Sequence, residues 1–235
     1  MEPREENTQQ QEQHREVVEA ITPYKLKTHQ KIYLPFKRLI AIFGSIMGII
    51  VCTALLWWWV LPINAIVTKG HPFFNRHRIG KDGKAFVIFK FRTMKNNTDP
   101  HMSSTGNNMA SQVTGFGKFL RATSIDETVQ LFNIFVGQMS FIGPRPLIDV
   151  NPEDVLTINK RKENGSICLK PGLSGYAQIH NRAELDPVVK AEYDFKYLQK
   201  MSFCYSLFCC IPFNNRMFKE DSSFNILNFT KHFCG

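Results

Sequence analysis

The chain has 235 residues and a mass of 27.1 kDa, is 43% hydrophobic and 21% charged, and contains 20 Phe. That balance excludes a wholly disordered chain and a disulfide mini-protein, and it leaves room for one packed domain with an appendage. Lys and Arg total 29 against 20 acids, a formal charge of +9, which suits a polyanionic partner: nucleic acid, a phosphorylated small molecule or an acidic membrane surface.

In chain order, residues 1–34 are rich in Gln and Glu and read as a polar leader. Their early Glu residues replace the basic and apolar stretches of a secretory signal, so the amino end is expected to stay where it is made. From Leu39 to Thr68 there is no charged residue, and the run includes Trp57, Trp58 and Trp59. A helix of that length extends about 45 Å against a hydrocarbon core of about 30 Å. Residues 35–69 are therefore expected to form a membrane helix, with a buried core helix as the alternative. Lys37 and Arg38 precede the run, and Lys69, Arg76 and Arg78 follow it. Basic flanks at both ends favour a re-entrant helix with both ends in the cytoplasm, a full crossing being the alternative.

Residues 70–202 have the composition of a soluble domain. Alternation over Ala85–Phe91, after the turn Gly80-Lys81-Asp82-Gly83, predicts a strand, and the polar residues 95–112 predict a loop. Ser124-x-x-Glu127 is a capping-box pattern that predicts a helix from Ser124 to Phe135. A second helix is expected from Pro187, its Val189, Tyr193, Tyr197 and Met201 forming a stripe for the core or for a membrane surface. Residues 203–235 make a Cys-, Asn- and Phe-rich tail. The six Cys form no Cys-x-x-Cys pair and have no His at ligand spacing, so free thiols are expected rather than a zinc site or a disulfide framework.

Asp126 and Glu127 fall in the first turn of the predicted helix, where the macrodipole is expected to keep a carboxylate ionised, ready to ligate a metal or attack phosphorus. Arg92, Arg121, Arg145 and Arg182 each lie in short segments dense with Gly, Pro, Ser or aromatics, and guanidinium groups suit bidentate phosphate recognition. The acids alone are also a common capping device.

Read in order, the segments are Gly70-x-Pro72-Phe73-Phe74 with Arg78-x-Gly80, Lys90-Phe91-Arg92-Thr93-Met94, and Arg121 to Glu127 followed by Gln130-Leu131-x-Asn133. Met139 to Pro146, Pro171 to Gln178, and Arg182 complete the set. This series resembles the bacterial sugar transferases, the monotopic polyprenyl-phosphate phosphoglycosyl transferases. The likeness covers about residues 35 to 202 and departs at Ala41, Thr53-Ala54, Gln138 and Asn181, where the family carries Asp, Ser-Pro, Asp and Gly. The resemblance implies a mainly helical α+β catalytic domain at the cytoplasmic face of the bacterial inner membrane. It implies a UDP-sugar donor, a polyprenyl (undecaprenyl) phosphate acceptor, membrane lipids and downstream glycosyltransferases as partners, no nucleic acid, and Mg²⁺ as cofactor. It makes Asp126 the nucleophile, Asp126 and Glu127 the metal-binding pair, and Lys90, Arg92, Arg121, Arg145 and Arg182 the substrate-binding cations. A non-catalytic membrane-tethered scaffold of glycan assembly is the alternative.

Overall fold

The charge-free run forms one continuous helix in the computed structural model, which describes residues 24–95, 113–180 and 186–210. Helix α1 (Thr28–Cys52) passes through a π-helical turn at Thr53–Trp57 into α2 (Trp58–Thr68). The helix thus begins inside the segment read as leader. The wider π turn falls at Thr53-Ala54, where the family breaks its helix with Ser-Pro. It shifts the register so that Trp57, Val60, Asn64 and Thr68 continue the buried stripe of Ala41 and Ser45.

One face of this helix packs on the rest of the protein along its length. Gln30 donates to the Leu198 carbonyl, and Lys37 Nζ donates to Ile142 O at 2.8 Å and Tyr197 Oη at 2.9 Å. Arg38 donates to the carbonyls of Ile134 and Phe135 at 2.6 and 2.7 Å, and Asn64 Nδ2 donates to Pro72 O at 2.9 Å. Lys37 and Arg38, read as membrane flanks, are therefore tied into the domain. The opposite face is bare: Phe43, Leu55, Trp58 and Ile66 are 65–75% exposed. Only 11% of the helix's most apolar window is buried, which overturns the core-helix alternative.

Strands β1 (Phe73–Ile79) and β2 (Ala85–Phe91) pair antiparallel, with Phe74 opposite Lys90 and Arg78 opposite Phe86. The expected strand falls where alternation placed it. Next come α3 (Gly115–Ala122), a 3-10 helix at Ile125–Gln130, and α4 (Leu131–Val136). Then β3 (Ser140–Ile142) and α5 (Pro152–Glu163) precede β4 (Gly172–Ser174), which pairs parallel to β3. Helices α6 (Tyr176–Ile179), α7 (Pro187–Lys200) and α8 (Phe203–Cys210) follow. The architecture is mainly helical with two small sheets, in keeping with an α+β class.

Helix α7 starts at Pro187 as expected, with the Asp186 carboxylate accepting from Val188 N at 2.8 Å. Its Tyr197 and Leu198, with Met201 just after it, are buried with Tyr176, Tyr205 and Cys209, so its stripe faces the core and not a membrane. Tyr205 and Cys209 belong to α8, so the segment read as a tail begins with a helix that completes that core. Cys52 and Cys168 are free thiols. Cys204 is disulfide-bonded, which corrects the expectation of free thiols throughout. Spacing along a chain does not show which thiols folding brings together.

Candidate active site

The β1–β2 register places Arg76, Arg78 and Lys90 on the same sheet face as Phe86 and Ile88, since directly opposed residues in an antiparallel pair share a face. Phe86 and Ile88 are buried against Leu131 and Ile134 of α4. The hairpin is thereby pressed onto the segment that carries the two acids. Asn133 fastens this contact: its Nδ2 donates to Val87 O at 2.7 Å, and its Oδ1 accepts from Phe89 N at 3.1 Å. A fully buried side-chain amide thus takes the place of a neighbouring strand on β2.

The acids do not sit on the predicted capped α-helix. Ser124 adopts a left-handed conformation (φ 57°) and its hydroxyl caps nothing, and Ile125–Gln130 winds as a 3-10 helix before α4 begins at Leu131. The capping box fails because Glu127, instead of folding back on Ser124, takes the Lys90 ammonium at 2.5 Å. A non-Gly residue held at positive φ next to the acids is the kind of local strain that surrounding structure must sustain.

Asp126 is 9% exposed. Burial raises its pKa above the ordinary carboxylate range; Lys90 and Arg121 pull it down, while Glu127 pushes it further up. The expectation that the helix start keeps it ionised is thus overturned in direction, because desolvation outweighs the short helix. Arg145 is also buried enough to lower its pKa, with Glu127, Asp154 and Asp126 opposing that shift in this order. The structure therefore brings Lys90, Arg121 and Arg145 within electrostatic range of the acid pair. Arg121 is steadied by its Nε donating to Thr93 Oγ1 at 2.9 Å. Arg92 follows β2, two residues beyond Lys90, and its backbone N–H donates to Pro72 O at 2.8 Å. Arg182 and Asn181 lie outside the described residues.

Three close backbone approaches hold this group in place. A Cβ on Gly117 would lie 2.1 Å from Thr93 O, so α3 reaches Thr93 only through glycine. Cβ atoms on Gly172 and Gly175 would lie 2.2 Å from Gly143 N and O. The glycines of the Pro171–Gln178 segment, open to reading as turn residues, serve instead to let backbone meet backbone beside Pro144-Arg145-Pro146. Arg145 O then accepts from Arg161 Nη1 at 2.9 Å, and Arg161 is paired with Asp194 at 2.7 Å in the interior. Arg161 and Asp194 lie in none of the quoted motifs and carry no sequence signal beyond two charges in otherwise amphipathic helices.

From the sequence Arg78 reads as a basic flank of the membrane helix, with no role in the site. Burial lowers its pKa to about 10, Arg145 adds to that shift, and Asp154 and Glu127 oppose it. Its Nε is buried with no hydrogen-bond partner among the described residues. The signal that would have found it is its cross-strand face, shared with Lys90. No cluster of three or more His, Cys, Asp or Glu occurs among the described residues, so a metal at this site would rely on the two adjacent carboxylates.

The family model for bacterial sugar transferases matches residues 32–219. The chain is 34% identical over 173 residues to the uncharacterised sugar transferase EpsL of Bacillus subtilis (strain 168), covering 73% of this chain and 81% of that one. It is 33% identical over 166 residues to the putative undecaprenyl-phosphate N-acetylgalactosaminyl 1-phosphate transferase of the same organism, covering 69% and 92%. It is 36% identical over 186 residues to the UDP-glucose:undecaprenyl-phosphate glucose-1-phosphate transferase of Klebsiella pneumoniae, covering 75% of this chain and 38% of that relative. The chain thus spans most of the two Bacillus relatives and under half of the longer one. With the family model matched over most of its length, the chain belongs to the bacterial sugar transferase family and is an enzyme of the phosphoglycosyl transferase class.

Proposed function

We propose that this protein transfers a sugar 1-phosphate from a UDP-sugar to polyprenyl (undecaprenyl) phosphate, with Asp126 as the nucleophile. The observation that carries the reading is a buried carboxylate faced by Lys90 and Arg121, with Arg145 in range. Such a group is poorly hydrated, and cations rather than water surround the charge it must use. In the first step an Asp126 oxygen attacks the phosphorus that bears the sugar. The bond from that phosphorus to UMP breaks, and UMP leaves with the electron pair. In the second step an oxygen of the lipid phosphate attacks the same phosphorus, the aspartyl–phosphorus bond breaks, and the carboxylate is restored. Two displacements replace one direct reaction between two polyanions.

Phosphoryl transfer depends mostly on positioning and on neutralising charge at the equatorial oxygens. Lys90, Arg121 and Arg145 do this together, joined by Arg92 and Arg182 on the resemblance and by Arg78 on its shared face and its range to Arg145. The two carboxylates fit Mg²⁺, an oxygen-seeking ion that needs few protein ligands when phosphates complete its shell. Glu127 already holds a cation, the Lys90 ammonium. Asp126 and Glu127 would hold the ion, whose charge would be supplied to the phosphates.

The acceptor's chain stays in a bilayer, so the enzyme works at a membrane surface. The inner membrane, with the catalytic domain on its cytoplasmic face, is the proposed place. Helix contacts with the domain at Gln30 and Lys37 near one end and Asn64 near the other support a topology with both ends on one side. A full crossing would draw the polar domain into lipid with it.

The deciding experiment combines the protein, Mg²⁺, polyprenyl phosphate and a panel of UDP-sugars, and measures UMP. At least one donor is expected to release UMP far above an Asp126→Asn control, and to leave a phosphosugar adduct on Asp126 when the acceptor is withheld. No release from any donor would instead support the non-catalytic scaffold, and the glycan pathway served would then rest on partners alone.

A further inference from the structure

A second basic cavity, of about 350 Å³, lies at the turn end of the β1–β2 hairpin. That is within the size of sites that take small ligands. Its lining includes Arg38, Lys81 and Lys170 together with Leu34, Pro35 and Leu169. Asp82 is the one carboxylate in the lining, and it sits 3.5 Å from Lys81. Arg38 Nη2 and Lys170 Nζ converge, lying 3.0 and 3.5 Å from the point where a Cβ on Gly137 would be. Burial, then Arg38, then Lys81 all lower the pKa of Lys170. An anion seated here would offset the crowding of Lys170 by Arg38 and Lys81.

The remaining wall indicates what else the ligand carries. Leu34 and Pro35 belong to α1, and Ile32, Phe36 and Leu39 beside them are 53–70% exposed. Exposed apolar residues of the helix thus stand next in sequence to two residues of this wall. Asp126, Glu127, Lys90 and Arg145 take no part in its lining. The turn ends at Lys84, and the extended strand from there to Lys90 covers about 20 Å.

We propose that this cavity seats the phosphate of an anionic glycerophospholipid, a membrane lipid that is not a substrate, and so fixes helix α1 and the hairpin turn against one leaflet. The inference rests on the membrane attachment proposed above. The distance to Lys90 is what separates the bound lipid from the reacting acceptor.

The test uses the full chain in detergent, titrated with dioctanoyl phosphatidylglycerol and read by native mass spectrometry. One saturable adduct per chain is expected, with dioctanoyl phosphatidylcholine binding at least about tenfold more weakly. Lys170→Gln is expected to weaken phosphatidylglycerol binding about fivefold at an unchanged melting temperature, while Lys170→Arg holds it within about twofold. The exposed Lys118→Gln is expected to leave it unchanged. Unsaturable binding, an equal loss in Lys118→Gln, or a loss in Lys170→Arg as large as in Lys170→Gln would overturn the site. Displacement by an equimolar short-chain polyprenyl phosphate would assign the cavity to the acceptor and also overturn it. Flotation with neutral vesicles reads the attachment separately: a chain that fails to float yet forms the adduct keeps the site and loses the attachment.

Discussion

Asp126 is held between opposing influences, and the balance sets two measurable properties. Its surroundings exclude water, which favours the protonated acid, while Lys90 and Arg121 favour the carboxylate; the net direction is upward. The folded chain therefore holds that proton more tightly than the unfolded chain does. Stability contributed by this residue falls as pH rises from the ordinary carboxylate range through the raised folded value, and the penalty is complete above it. Asp126→Asn escapes the penalty. It is expected to melt at a higher temperature than the native protein at pH 7, with the difference shrinking toward pH 4, while UMP release falls by on the order of 10³-fold or more. A variant that melts lower than the native protein at pH 7 in metal-free buffer would show that burial does not govern this group.

At the scale of elements, α5 and α7 meet through Arg161 and Asp194, which are 5% and 1% exposed. Removing one member of such a pair leaves a buried charge and costs about 3–5 kcal/mol, whereas replacing both with apolar side chains is often neutral. Arg161 also donates to the Arg145 carbonyl, so stability and activity separate here. Asp194→Leu alone is expected to lower the melting temperature markedly. Arg161→Met combined with Asp194→Leu is expected to recover most of it while UMP release stays low, with the larger change in the KM for the UDP-sugar. Full recovery of both would reduce the pair to a structural tie. Helix α3 makes a parallel case: Gly117→Ala puts a methyl into Thr93 O and is expected to displace Arg121, lowering both UMP release and the melting temperature, because Leu120 of the same helix is fully buried in the core.

For the whole molecule, the decisive property is a helix that is buried on one side and bare on the other. A charge at the centre of a membrane-inserted helix costs about 2.5–3.5 kcal/mol. Phe43→Glu and Leu55→Glu, at positions 68% and 65% exposed, are each expected to weaken vesicle flotation by more than about tenfold. The buried core beneath is expected to keep its melting temperature in detergent. A drop in that temperature equal to the loss of binding would mean that the bare face is covered by protein instead. Topology is read by impermeant thiol labelling of Lys25→Cys and Lys84→Cys, both exposed. Labelling from the same side is expected; opposite sides would establish a full crossing.

Local pattern was enough to announce the apolar helix, the β2 strand, the start of α7 and the order of the acid and arginine segments. Hydrophobic periodicity, Pro at a helix start and charge depletion act over a few residues and do not depend on what lies across the fold. The strand from Ala85 to Phe91 and the helix start at Pro187 are cases in point. The capping box at Ser124 failed for the opposite reason: Glu127 had a better partner in Lys90, distant in sequence and brought near by the hairpin. The same holds for Arg78, for the Arg161–Asp194 tie behind Arg145, and for the upward shift of Asp126. Each depends on desolvation and on charges delivered by other elements, quantities that exist only once the chain has folded.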